Sequence, residues 1–154
     1  MPHIHEKIDF TVEVFIVHKN TVLLRVHDKY KKWMSVGGHI ELHEDPIEAA
    51  LREVKEEVGL DVELIGNEKI ARPFDHSHDL LPPIALNRHL TNKEGHEHIT
   101  FVYFARAKST ETKALLENDK SEECRWCTEK DLKEMDLWPN VRVYALEALR
   151  RLAV

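Results

Sequence analysis

Hydrophobic and polar positions divide the chain into segments typical of strands and segments typical of helices. Residues 10–17 are rich in β-branched and aromatic side chains, and residues 21–26 place Val22, Leu24 and Val26 on one face, which predicts a β-hairpin. Further strands are predicted at residues 60–65, 84–90, 99–107 and 122–127, while residues 33–40 lead into the glycine pair Gly37-Gly38. The rest of the interval 66–95 is long for a connection without regular structure, so we expect it to be functional or partly ordered.

Helical signals occur at three places. Asp45 and Pro46 are typical of a helix start and Gly59 of a helix end, which predicts a helix over about residues 46–58. Residues 128–131 have the pattern of a capping box that opens a short helix, and residues 140–152 repeat apolar side chains at helical spacing. Strands interleaved with two main helices predict an α/β sandwich on a mixed sheet, in a single domain of residues 1–154.

Composition narrows the class of protein. The net charge of −6 disfavours a nucleic-acid polymer as partner, because phosphate binding usually needs a basic excess. No apolar run approaches the ~18 residues of a membrane helix, and the first residues do not have the pattern of a signal peptide, so we expect a cytoplasmic protein that does not bind a membrane. Cys124 and Cys127 do not form a disulfide framework, and their odd separation puts them on opposite faces of a strand.

Acidic residues are concentrated in the first predicted helix and the loop before it. Residues 38–60 carry seven acidic and two basic side chains, which accounts for most of the net charge. On a helical wheel one face is acidic and the opposite face is apolar; the first comprises Arg52, Glu53, Glu56 and Glu57, and the second Ile47, Ala50, Leu51, Val54 and Val58. Like charges at this spacing destabilise a helix, whereas a hard divalent cation such as Mg²⁺ or Mn²⁺ reverses the effect. A solvated acidic face is the alternative.

The spacing of this segment is more specific than its charge. Gly38, Glu44 after five residues, and Arg-Glu-Val-Lys-Glu-Glu-Val-Gly-Leu at 52–60 after seven more fill every fixed position of the Nudix box, G-x5-E-x7-R-E-U-x-E-E-x-G-U. The chain therefore resembles the Nudix hydrolase family, in particular its small MutT-like members. Val36 and His43 replace a proline and a glycine that are common in the family. The resemblance implies an α/β/α sandwich that hydrolyses a nucleoside diphosphate linked to another moiety.

The resemblance also implies roles for particular residues. The Mg²⁺ or Mn²⁺ ligands would be Glu53, Glu56 and Glu57 with the Gly37 carbonyl, while Arg52 would orient a glutamate and Glu44 would support the loop or a second metal. The general base would be a box glutamate such as Glu53, or an acid before a late strand, here Glu122 or Glu123. Substrate contacts are assigned to the variable region, at Arg72, Phe74, Arg88 and His89. Homodimers are common in this fold.

Other interpretations stay open at this level. A Nudix fold also occurs in sensors that bind nucleotides without cleaving them and in isoprenoid diphosphate isomerases. His76-x-His78 and His96-x-His98 each place two imidazoles on one strand face, as zinc sites do, although exposed or substrate-contacting loop histidines are the favoured interpretation. No residue after the box identifies the substrate, so the hypothesis is a broad nucleotide pyrophosphohydrolase.

Overall fold

A computed structural model describes residues 5–27, 29–66, 69–70, 72–73, 75–113 and 123–154. Two candidate site residues, Phe74 and Glu122, lie outside these residues. The strands are β1 (Ile8–His18), β2 (Thr21–Val26), β3 (Trp33–Met34), β4 (Val36–His39), β5 (Val62–Ile65), β6 (Ala85–Leu90), β7 (Glu97–Ala107) and β8 (Cys124–Cys127). The helices are α1 (Pro46–Val58), α2 (Glu129–Glu134) and α3 (Pro139–Leu152). None of these helices is long and apolar enough to cross a bilayer.

The strands of the described residues form one mixed sheet. Its central path is β3-β2-β1-β7-β5, with β4 paired to β1, β6 to β7 and β8 to β2. β1 and β7 run parallel over ten paired positions, whereas the other pairs are antiparallel. The predicted hairpin of the first two strands and the predicted strand at 84–90 are both present.

Alternation along β1 divides the interior into two apolar layers. Val14 and Ile16 pack towards α1 in one cluster, while Phe15 and Val17 pack towards α3 in the other. The sheet is thus covered by α1 on one face and α3 on the other, which confirms the expected α/β/α sandwich. Cys124 packs on the α1 side and Cys127 on the α3 side, so the two thiols lie on opposite faces as predicted. Burial raises the pKa of Cys127 to about 11.

The local signals of α1 are realised at both ends. The Asp45 side chain accepts hydrogen bonds from the amides of Ile47 and Glu48, Pro46 is the first helical residue, and Gly59 ends the helix at φ 69°. Both ends of α1 lie where the sequence predicts them. One expectation about its faces is wrong: Leu51, assigned to the apolar face, is 42% exposed.

A second expectation concerns β2. Alternation there predicts one buried face, but Leu23 and Arg25 are buried as well as Val22 and Leu24. The reason is that β2 lies inside the sheet between β1 and both β3 and β8, with a helix over each face. A charged residue in such a strand requires a buried partner.

Candidate active site

The glycine pair of β4 lies directly against α1. A Cβ atom placed on Gly38 would lie 2.2 Å from Glu53 Oε1 and 2.6 Å from Glu53 Cδ. Only the absence of that side chain leaves room for the Glu53 carboxylate against the strand. Glu53 is therefore 5% exposed although it belongs to the charged face of the helix.

Glu57 is held from two sides. Its Oε1 accepts a hydrogen bond from the Gly37 amide at 2.9 Å, and its Oε2 forms an ion pair with Arg25 of β2. Glu57 is 5% exposed and Arg25 6%. The acidic face of α1 thus turns towards the sheet at two positions, because the glycine pair and Arg25 accommodate its carboxylates there. This differs from a solvated acidic face.

Arg52 joins the remaining carboxylates. Its guanidinium donates to both oxygens of Glu44, at 2.9 Å from Nε and 2.6 Å from Nη2. Nη1 donates to Glu53 Oε1 at 2.9 Å and to Glu56 Oε2 at 3.1 Å. Nη2 also reaches the His39 carbonyl at 3.0 Å, which ties the helix to the end of β4. One guanidinium therefore contacts three of the carboxylates that the sequence singles out.

The contact between Arg52 and Glu44 shifts the pKa values of both side chains. Hydrogen bonds from Arg52 hold the pKa of the Glu44 carboxyl below its ordinary value of 4.5, and the Glu41 amide contributes in the same direction at 2.8 Å. The same contacts raise the pKa of Arg52. Both oxygens of Glu44 are engaged in this way. Charge-assisted bonds of this kind are stronger than neutral ones.

The donor set suits a hard divalent cation. Glu44, Glu53, Glu56 and Glu57 contribute carboxylate oxygens within two helical turns and the preceding loop, and the glycine backbone lies beside two of them. Oxygen ligands of this type are those preferred by Mg²⁺ and Mn²⁺. The space at Gly38 that Glu53 fills, and the guanidiniums of Arg25 and Arg52 that compensate the carboxylates, show a site arranged around concentrated negative charge.

The other predicted site residues are not brought to this cluster by any contact among the described residues. Glu123 is exposed directly before β8, where its carbonyl accepts from the Val26 amide at 2.9 Å. Arg72 is exposed and bonds within its own loop to Asp75, Ser77 and Asp79. Arg88 is ion-paired with Glu97 across β6 and β7. His89 contacts His98, at 5.5 Å between ring centroids, on the sheet away from α1.

Arg25 is a buried site residue that the sequence patterns did not predict. The signal was present, since Arg25 interrupts a run of apolar residues in a strand whose central positions are buried. Its partner could not be identified, because the contact with Glu57 depends on how β2 lies beside α1 rather than on spacing along the chain.

Fold and site together define a Nudix-type hydrolase, and comparisons with known proteins agree. A sequence profile of the NUDIX domain matches residues 9–147. The crystal structure of a NUDIX-family hydrolase from Clostridium perfringens is 38% identical, with a TM-score of 0.80 over 93% of this chain and 97% of that one. A MutT NUDIX hydrolase from Burkholderia pseudomallei is 22% identical, with a TM-score of 0.65 over 96% and 100% of the two chains.

A third similar structure is described as a complex with ADP ribose. It is the NUDIX domain of Shewanella oneidensis NrtR, 17% identical, with a TM-score of 0.65 over 97% of this chain and 91% of that one. A search of curated protein sequences finds no significant match. The profile match and the Clostridium structure place the chain in the NUDIX family, and it is a Nudix hydrolase.

Proposed function

We propose that this protein hydrolyses a diphosphate bond in a nucleoside triphosphate or another nucleotide derivative, by attack of water at phosphorus and with Mg²⁺ or Mn²⁺ as cofactor. The observation that carries the proposal is the gathering of Glu44, Glu53 and Glu56 by Arg52, beside the glycine pair that buries Glu53. Concentrated carboxylates need cationic compensation, and a diphosphate substrate needs the same.

Each group of the site has a task in this proposal. Glu53, Glu56 and Glu57 would hold the cation together with the Gly37 carbonyl, and Glu44 would fix the loop through Arg52. The bound cation would neutralise the diphosphate and lower the pKa of the attacking water. Arg52 orients Glu53 and Glu56 with single hydrogen bonds from Nη1. Glu53 is the first candidate for the general base, and Glu123 and Glu122 are the alternatives.

The substrate class rests on similarity and on charge. The Shewanella domain is described with ADP ribose, and a Streptococcus suis protein of 16% identity is described as an ADP-ribose pyrophosphatase. Such relatives share the fold, so they motivate nucleotide derivatives as a class. The net charge of −6 again disfavours a nucleic-acid polymer. Two cysteines that form no disulfide suit a reducing compartment such as the cytoplasm, and a homodimer remains a prediction for sedimentation analysis.

Glu56→Gln is the sharpest test of the box. Glu56 is less buried than its neighbours and contacts Arg52, whereas Glu57 also pairs with buried Arg25, so replacing Glu57 would disturb the fold as well. We expect Glu56→Gln to lower kcat by on the order of 10²–10³-fold, the scale for losing one group that stabilises transition-state charge. Glu63→Gln is the matched control, because Glu63 is an exposed glutamate of β5.

The assay is a panel of canonical and oxidised nucleoside triphosphates, ADP-ribose, NADH, dinucleoside polyphosphates and nucleotide sugars, with Mg²⁺ or Mn²⁺. Release of a nucleoside monophosphate that Glu56→Gln abolishes and Glu63→Gln preserves would support the proposal and identify the substrate class. Full activity of Glu56→Gln would refute the metal assignment. Tight nucleotide binding without turnover would instead favour the sensor, and isomerisation of isopentenyl diphosphate without phosphate release would favour the isomerase.

A further inference from the structure

A histidine-rich cluster lies on the sheet face that is turned away from α1. Asp9 of β1 is paired in register with His98 of β7, which is in turn paired with His89 of β6. His39 of β4 lies two residues further along β1, opposite Thr11. Neighbouring residues of a strand point to opposite faces, so Gly38 faces Glu53 whereas His39 faces Asp9. The cluster is therefore separated from the box site by the thickness of the sheet.

Three potential ligand atoms converge in this cluster. One atom each from Asp9, His39 and His98 lies within 4.8 Å of the other two. Asp9 Oδ2 is 3.3 Å from His39 Nε2 and 3.2 Å from His96 Nε2. Asp9 is 1% exposed and His96 0%. A buried carboxylate among imidazoles needs a compensating positive charge.

The second nitrogen of His96 indicates which atom is available as a ligand. His96 Nδ1 lies 3.0 Å from the Glu6 carbonyl, and a carbonyl oxygen can only accept, so Nδ1 carries the proton. In the neutral ring Nε2 then has the lone pair, and it is directed at the Asp9 carboxylate. A histidine that binds a metal usually donates its other N–H to a carbonyl or carboxylate in this way. Two electron-rich atoms facing each other at 3.2 Å require a proton or a cation between them.

We propose that Asp9, His39, His96 and His98 form a second cation site, selective for Zn²⁺ and distinct from the box. Tetrahedral Zn²⁺ with bonds of about 2.0–2.1 Å has ligand-to-ligand separations of about 3.3 Å. Two of the separations here, 3.2 and 3.3 Å, already have that length. The ligand atoms of Asp9, His39 and His98 lie within 4.8 Å of one another, and His96 approaches this group through Asp9, so Zn²⁺ binding would draw the imidazoles inward. Four protein ligands would make the site closed and structural.

The two sites differ in the cation that they suit. The box offers carboxylate and carbonyl oxygens, which favour Mg²⁺, whereas this cluster offers three imidazoles and one carboxylate, which favour Zn²⁺. They also share a physical link, because Arg52 donates to the His39 carbonyl at 3.0 Å. The second site would hold β1, β4 and β7 together at the end of the sheet where the box lies.

The test is titration of the metal-free full chain with Zn²⁺ by calorimetry, in millimolar Mg²⁺ so that the oxygen site is already occupied. We expect one Zn²⁺ per chain and a higher midpoint of thermal unfolding. Co²⁺ as a spectroscopic substitute should give the intense visible bands of a tetrahedral nitrogen-ligated ion. His98→Ala and Asp9→Asn should each weaken Zn²⁺ binding by at least about 100-fold, the upper range for disturbing a metal's surroundings.

His76→Ala/His78→Ala is the matched control, because it removes an exposed pair with the same H-x-H spacing. It should leave the Zn²⁺ affinity unchanged, and so should Glu56→Gln, which separates this proposal from the hydrolase proposal. The proposal is overturned if no Zn²⁺ binds more tightly than about 10 μM, far weaker than structural zinc. It is also overturned if Co²⁺ gives the weak bands of an octahedral oxygen site. The spectrum of the unaltered chain decides even where His98→Ala does not fold.

Discussion

The two faces of the sheet at β4 bury carboxylates in different ways. On the α1 face, Glu57 pairs with Arg25, and Arg52 joins Glu44 and Glu53, so each carboxylate has a guanidinium partner. On the other face, Asp9 lies among imidazoles, and Glu13 Oε1 accepts from the Ser35 hydroxyl at 2.6 Å. Guanidiniums are permanently charged, whereas imidazoles and hydroxyls are not.

This difference appears in the pKa shifts. Arg52 lowers the pKa of Glu44, while burial raises the pKa of Glu13, because the hydrogen bond from Ser35 offsets only part of the desolvation. On the α1 face Glu44 is thus held in its ionised form by a guanidinium. On the other face burial favours the protonated form of Glu13, and Asp9 accepts from the His5 amide at 2.6 Å and lies beside the imidazoles of His39 and His96. Gly38 and His39 are adjacent residues of β4, yet Gly38 faces the α1 side of the sheet and His39 faces the other side.

The largest effect that we expect comes from removing the buried guanidinium. Arg25→Met leaves Glu57 buried without its ion-pair partner and should destabilise the fold by about 3–5 kcal/mol. At about 2–4 °C per kcal/mol for a domain of this size, the midpoint of thermal unfolding should fall by roughly 6–20 °C. Mg²⁺ should restore part of this loss, because it replaces the missing positive charge. The rise in the unfolding midpoint on adding Mg²⁺ should therefore be larger for Arg25→Met than for the unaltered protein.

Arg88→Met is the control for that experiment. Arg88 forms an exposed pair with Glu97, and such pairs contribute about 0–1 kcal/mol. Equal losses in the two variants, measured by chemical denaturation, would show that burial of the Arg25 pair is unimportant. The contrast between carboxylates that have a guanidinium partner and those on the other face would then fail.

The glycine pair tests the division between the two faces. Gly38→Ala places a Cβ 2.2 Å from Glu53 Oε1, so the side chain must move while the backbone stays. We expect kcat to fall about 10²-fold, the scale for a misplacement of about 1 Å in an active site. Zn²⁺ binding by the histidine cluster should be unaffected, which calorimetry checks.

Gly37→Ala is the companion variant. Its Cβ would lie 2.2 Å from the Val12 carbonyl oxygen, which is backbone of β1 and cannot rotate away. We expect a loss of about 1–3 kcal/mol in the free energy of unfolding, typical of overpacking and larger than for Gly38→Ala. If Gly38→Ala keeps full activity, the burial of Glu53 against β4 is not needed for catalysis.

Local signals explain what the sequence could predict. Asp45, Pro46 and Gly59 define α1 to the residue, because capping depends on positions within a few residues of each other. The box was identifiable for the same reason, since its residues have fixed spacing. Contacts between distant segments carried no such signal. The proximity of Asp9, His39 and His98 depends on β1 pairing with both β4 and β7, so only the topology reveals it.

The smallest effect that we expect, and the most specific, is the pH dependence of Glu13. Its native pKa lies above the ordinary value of 4.5, so the folded state holds this proton more tightly than the unfolded state. Stability is therefore lost as the pH rises from 4.5 through the native pKa, by at most about 1.4 kcal/mol per pH unit. Glu13→Gln should remove that component, which urea unfolding across pH measures.

Glu147→Gln is the control with the opposite pH dependence. Arg150 and Arg151 lower the pKa of Glu147 to about 2, so the contribution of Glu147 to stability is lost as the pH falls. Identical pH profiles for Glu13→Gln and the unaltered protein would show that Glu13 is not desolvated, and the contrast between the two faces would then rest on Asp9 alone.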